Sequence, residues 1–244
     1  TSGCGWEVAF RRCRYAVEQG AGPEYESVAA LGAYCLVDNL AAVCVANDLC
    51  NRYGLDTISV GATIAFAMEA FEGGLINAGD LGGMALEWGE ADAMIEVIRL
   101  IGEGQGIGRL LGRGVRAAAD ELGPKARDFA MHVKGLEFPA HDPRAFFSTA
   151  VAYATANRGA CHLAGLTHAL EGTLAIPELG YDHPLDRFAV RGKGIMAAKM
   201  QNLMGLFDAL KICKFLLYTG ITVSDLADGL HLVTGWDMAV DGLL

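Results

Sequence analysis

LAAVCVANDLCNRYGLDTISVGATIAFAMEAFEGG, residues 40–74, is the stretch that decides the fold. Apolar residues recur every three to four positions from Leu40 to Tyr53 and again from Thr57 to Gly73, the spacing of helices that bury at least one face. Gly54 and Gly74 each follow a periodic run, as expected where the chain enters a left-handed conformation to end a helix. Asp38 before the first run and Asp56 before the second are expected N-caps, each able to accept a bond from an orphan backbone N–H. The stretch therefore reads as two helices joined by a glycine turn.

The same periodicity extends outward to residues 24–34, 91–102, 106–122, 144–156 and 193–213, with Ser224 expected to cap a helix over 226–232. Gly123 and Pro124 stop the 106–122 run. Only residues 131–138 alternate like a strand, and Pro139 and Pro143 then break the pattern. Nothing else predicts paired strands, so the fold class is all-α and multihelical. Gly, Pro and charged residues over 123–143 predict a boundary between two helical domains, 1–131 and 132–244. A second irregular stretch, 176–194, contains His183 and two prolines and is long enough to be functional. The chain opens in cysteine-bearing sequence and stops just after a helix-like start, so both ends are expected to be cut.

A chain of 244 residues with 52% hydrophobic and 20% charged residues is expected to fold and bury a sizeable core. A net charge of -10 argues against nucleic-acid or anionic-membrane partners, which need a basic face. A small-molecule enzyme or a helical protein-binding module fits better. Seven cysteines, an odd number, with no signal-peptide pattern before them, predict a reducing cytoplasm and thiols available to metals. The longest apolar stretch, 58–70, is too short to span a bilayer.

Several groups carry chemistry. Asn51-Arg52-Tyr53-Gly54-Leu55-Asp56 puts an amide and a carboxylate beside a tight turn, where Asp56 caps the next helix or accepts from ligand N–H groups. Asp208 to Cys213 repeats the spacing with a cysteine at its end. A lone cysteine is usually a small hydrophobe unless other thiols converge on it, and Cys4 and Cys13 lack C-x-x-C spacing. Cys35, Cys44 and Cys50 fall at intervals suited to a buried helix face. Asn157-Arg158-Gly159-Ala160-Cys161-His162 closes a helix with polar groups, and His162 can exchange a proton near neutral pH or simply be a satisfied structural histidine. Glu24-Tyr25-Glu26 favours a helix N-terminus through its charge, or supplies a carboxylate for acid–base work.

Taken in order, GPEYES (22–27), NRYGLDTIS (51–59), DPR (142–144), NRGACH (157–162), the 208–215 segment and TGWD (234–237) resemble the aldehyde:ferredoxin oxidoreductase family from about Gly20 onward. The resemblance implies its two C-terminal helical domains without its N-terminal β-rich domain. It implies a tungsten bis-pterin (tungstopterin), a [4Fe-4S] cluster, aldehyde substrates and ferredoxin as electron acceptor. By the same resemblance Glu26 and His162 are the catalytic groups, and Asn51, Leu55, Asp56, Arg158, Ala164, Asp208 and Lys214 contact the pterins. Cys213 is the cluster's fourth ligand, with Cys4 and Cys13 upstream where the family has C-x-x-C-x-x-x-C. This chain also has Asn51 where the family usually has Asp, and Lys211-Ile212 where it has Gly-Leu. A fragment lacking the β-rich domain is expected to be inactive alone and to need that domain as partner; the sequence leaves the oligomeric state open, a homodimer among the options. Two rivals remain: the catalytic subunit of an aromatic acyl-CoA reductase of the same family, and a helical scaffold that has lost its cofactors.

Overall fold

Helices dominate the computed structural model, which describes residues 6–11 and 14–243. The chain divides into two units, residues 1–140 and 141–244, each around its own apolar cluster. The sequence placed the change near 131, nine residues earlier.

In the first unit β1 (Glu7–Phe10) pairs antiparallel with β2 (Val17–Ala21), a hairpin the sequence did not predict. Its strands are short and partly charged, with an irregularity between Val8 and Phe10, so no clean alternation exists to be read. There follow α1 (Tyr25–Val28), which runs into a π-helical turn (Ala29–Ala33), then α2 (Leu40–Tyr53), α3 (Thr57–Glu72) and α4 (Ala91–Glu103). The expected helix over 106–122 is two pieces, α5 (Gly108–Leu111) and α6 (Val115–Leu122), because Gly112 and Gly114 flank the break and Gly114 takes φ 85°. Next come α7 (Pro124–Arg127) and a tight hairpin, β3 (His132–Val133) and β4 (Leu136–Glu137), turned by Lys134 and Gly135 at φ 57° and 91°.

That hairpin belongs to the first unit. Strand β4 packs on α3, and the buried Glu137 carboxylate accepts the Val115 N–H at 2.8 Å, satisfying an orphan donor of α6. The unit therefore extends past residue 131.

Helices α2 and α3, the decisive pair, bend 117° apart. Among the described residues no single helix is long and apolar enough to cross a membrane. Asp56 caps α3, accepting from Ser59 N at 2.8 Å, and Gly54 ends α2 at φ 69°. The cap of α2 is Asn39, whose side chain accepts from Ala42 N at 3.2 Å, rather than Asp38 one residue earlier. Gly61 lets α3 lie on the π turn: a Cβ there would meet the Ala30 backbone at 2.5 Å. Cys35, Cys44 and Cys50 are buried as expected, and burial pushes the thiols of Cys35 and Cys50 up to about 12.

The second unit is built on α11 (Lys193–Leu210), preceded by α8 (Phe147–Thr155), α9 (His162–Gly165) and α10 (Thr167–Gly172). A 3₁₀ turn (Lys214–Thr219), α12 (Val223–Thr234) and α13 (Val240–Leu243) follow it. Met196, Met200, Leu203, Met204 and Phe207 of α11 form the spine of the core. The α12 cap is Thr222, in a capping box with Asp225, while Ser224, expected as the cap, lies within the first turn and is bound by Glu178. Inside the core Lys193 pairs with Glu171. The pair is tolerated in low dielectric because Ser148 Oγ also donates to Glu171 at 2.6 Å and Lys193 Nζ donates to the Asp186 carbonyl at 2.6 Å.

Two outcomes follow. Lys211 ends α11 at φ 59°, a conformation that costs an L-residue about 1–2 kcal/mol, so Lys211→Gly is expected to raise stability by about 1 kcal/mol in denaturant unfolding; a loss would mean the Lys211 side chain contributes more than its backbone costs. Iodoacetamide at pH 8 should leave Cys35 and Cys50 unlabelled in the native protein, since their raised pKa keeps them thiols until well above that pH, and label both in denaturant. Peptide mass spectrometry reads the difference, and native labelling of Cys35 would contradict its burial.

Candidate functional site

In the first unit, the Gly22-Pro23 entry delivers α1 with Glu26 in its first turn. The half-buried Glu26 carboxylate accepts from Ala140 N at 2.7 Å, Tyr25 Oη donates to the Ala140 carbonyl at 3.2 Å, and Tyr34 Oη donates to the Phe138 carbonyl at 3.2 Å. Two of these bonds fix the Glu-Tyr-Glu segment against Ala140, the third ties Tyr34 to Phe138, and Ser27 Oγ lies 2.7 Å from Thr57 Oγ1 at the start of α3. A carboxylate held this way keeps its orientation while remaining an acceptor.

The α2–α3 junction presents a second group. Asn51 is exposed in the last turn of α2, Leu55 is half-buried against the core, and Asp56 is exposed at the α3 N-terminus. Arg52 turns back along α2 to Asp48, at 2.6 Å. Capping occupies Asp56 Oδ1, and the solvent-facing carboxylate can still accept from a ligand.

The second unit brings together more than the sequence suggested. Beyond α8 the chain turns through Gly159, φ 99°, and His162 opens α9. Lys214 reaches across from the far end of α11: its ammonium donates to the Leu163 carbonyl at 2.9 Å and to Asp208 Oδ2 at 2.9 Å. Asp208, Lys214 and the α9 turn carrying His162 and Ala164 are therefore one cluster. The Lys214 side chain is only 13% exposed while Asp208 stays 68% exposed, so the carboxylate faces solvent from an anchored base. Cys213 is exposed immediately before Lys214, and Arg158 is exposed on the turn before α9. Cys4 and Cys13 lie outside the described residues.

Two residues that sequence reasoning passed over sit beside His162. The His141 ring stacks on it, centroids 4.6 Å apart and planes within 4°, and the His168 ring lies 4.2 Å from His141 on a 41° tilt. No spacing links these three, because they lie on separate elements. Their meeting depends on Leu166, whose φ of 46° turns α9 into α10. The nearest sequence signal is their position beside motifs already singled out, DPR after His141 and NRGACH ending at His162.

The donor sets match the chemistry of the cofactors in question. Exposed carboxylates at Asp56 and Asp208 suit the N–H groups of a pterin, an anchored ammonium at Lys214 suits anionic oxygens, and an exposed thiol at Cys213 suits iron.

Comparison with known proteins gives a consistent result. Residues 1–244 match the family model described as aldehyde ferredoxin oxidoreductase, domains 2 and 3. The chain is 37% identical over 231 residues to the tungsten-containing aldehyde ferredoxin oxidoreductase of Pyrococcus furiosus, covering 93% of this chain and 36% of that protein. It is 36% identical over 226 residues to the protein of the same name from Thermococcus kodakarensis, covering 91% and 36%. The chain thus spans about a third of the length of the relatives it matches. Among solved structures it resembles the active-site complex BamBC of benzoyl coenzyme A reductase with 1,5-dienoyl-CoA, at TM-score 0.73 and 17% identity over 98% of this chain and 40% of that one, a likeness of fold.

Proposed function

The chain belongs to the aldehyde ferredoxin oxidoreductase family, and from that premise we propose that the protein carrying it oxidises aldehydes to carboxylic acids and passes the electrons through a [4Fe-4S] cluster to ferredoxin. The observation that supports this reading most strongly is identity of 35–37% over more than nine-tenths of the chain with four relatives named tungsten-containing aldehyde ferredoxin oxidoreductases. An aldehyde and water become a carboxylic acid with release of two electrons and two protons. A tungsten bis-pterin supplies the oxygen transfer and takes up the electrons when bound.

The residues of this chain orient reactants and move protons. Asp56 and Asp208 accept hydrogen bonds from pterin N–H groups, with Asn51, Leu55, Arg158, Ala164 and Lys214 completing the contacts. Lys214 is suited to this role because its bond to the Leu163 carbonyl fixes the ammonium before a ligand arrives. Cys213 ligates the cluster, and Cys4 and Cys13 are the upstream candidates. Glu26, held by the Ala140 N–H, takes a proton from water as general base. His162, its ring plane fixed by stacking, hydrogen-bonds the aldehyde oxygen.

Anaerobic steady-state assays with a panel of aldehydes and ferredoxin test the assignment. Glu26→Gln and His162→Ala are each expected to lower kcat by roughly 100-fold or more while tungsten and iron contents stay at the parent level. Wild-type turnover in either variant would remove that residue from the chemistry. Parent protein inert towards aldehydes but reducing an aromatic acyl-CoA would instead favour the reductase of the same family.

A further inference from the structure

Three histidines of the second unit, His141, His162 and His168, form a ring cluster that the proposed chemistry uses at one member only. The His141 ring lies face to face with His162, centroids 4.6 Å apart and planes within 4°, and the tilted His168 ring packs beside the pair, 4.2 Å from His141 and 6.2 Å from His162. The stack is held from outside. The buried Tyr153 hydroxyl donates to the His141 carbonyl at 2.9 Å, and Phe146 meets the His168 ring edge-on at 6.1 Å. His141 also immediately precedes Asp142, whose carboxylate binds Arg144 N at 2.8 Å and so fixes the turn that carries His141. Parallel planes with face contact constrain both tilts of an imidazole.

We propose that His141 is a positioning residue for His162: the face of its ring, stacked on that of His162, sets the plane in which the His162 nitrogens point. The inference rests on the reading of His162 as the group that binds the aldehyde oxygen. His141 itself touches no reacting atom in this scheme. The part proposed for His141 is that of its flat ring.

Histidine-labelled protein, compared as wild type, His141→Ala and His141→Phe, separates the alternatives. In NMR spectra the His162 Hδ2 and Hε1 resonances carry a ring-current shift from His141, which His141→Ala should abolish and His141→Phe should largely retain. In aldehyde turnover His141→Ala is expected to lower kcat by about 10- to 100-fold, the scale of a misplaced group, with KM within about twofold, and His141→Phe to recover most of the loss. His162 resonances unmoved by His141→Ala would overturn the proposal. So would a Phe variant that keeps the ring shift without recovering kcat, since a nitrogen of His141 would then be required. The Phe variant preserves ring bulk, so it guards against a collapse of the site being read as lost positioning. If His162→Ala turned over aldehydes normally, the proposed function would fall, and the ring shifts, which need no metal, would still decide whether His141 orients His162.

Discussion

Left-handed backbone at Gly54, Leu166 and Lys211 is the constraint on which the candidate site depends. Each ends or redirects a helix beside a group with chemical capacity. Gly54 takes the conformation without a Cβ penalty and separates Asn51 from Asp56. Leu166 and Lys211 take it at a cost of the order of 1–3 kcal/mol each, which surrounding packing must offset. Leu166 does so fully buried, joining α9 to α10 so that His162 and His168 both approach His141. Lys211 ends α11 so that Lys214 can fold back on Asp208 and reach the Leu163 carbonyl.

Around these turns both units fix backbone polar groups with charged side chains. In the first, carboxylates meet backbone N–H groups: Glu137 at α6, Asp56 at α3 and Glu26 at Ala140. Such contacts satisfy donors that a helix start or an extended segment leaves over. In the second, carboxylates do the same at Arg144 and at the start of α12, and ammonium groups bind carbonyls as well, Lys193 at Asp186, Lys199 at Leu179 and Lys214 at Leu163. The stretch over 176–194 is fastened by this means although it has little regular structure, with Glu178 accepting from the first two N–H groups of α12. The candidate groups therefore stand on segments whose backbones are fixed by specific bonds, which is what orientation-dependent chemistry needs.

Helix-forming runs were readable wherever apolar period and a stop residue coincided. Leu40–Tyr53 falls within the predicted limits because Gly54 punctuates it, and Asp56 caps α3 as its position ahead of the apolar run predicted. Caps with two eligible residues were read one or two positions off, Asn39 for Asp38 and Thr222 for Ser224, since side-chain geometry and not composition chooses between them. The break between α5 and α6 is marked locally by Gly112 and Gly114, whereas the bond that fixes the start of α6, Val115 N to Glu137 twenty-two residues away, was invisible to a local reading. The site divides similarly. Motif residues such as Asp208 and Lys214 fall together as their spacing allowed, whereas His141 and His168 join His162 only through tertiary packing. The family itself was legible because its motifs recur in order along the chain.

The most direct test of the account is metal analysis by mass spectrometry together with the visible absorption spectrum of the anaerobically purified protein that carries this chain. The account predicts one tungsten with about four irons and the brown absorption of an iron-sulfur cluster. Colourless, metal-free protein with intact helical structure would contradict it and leave a helical scaffold in place of an oxidoreductase.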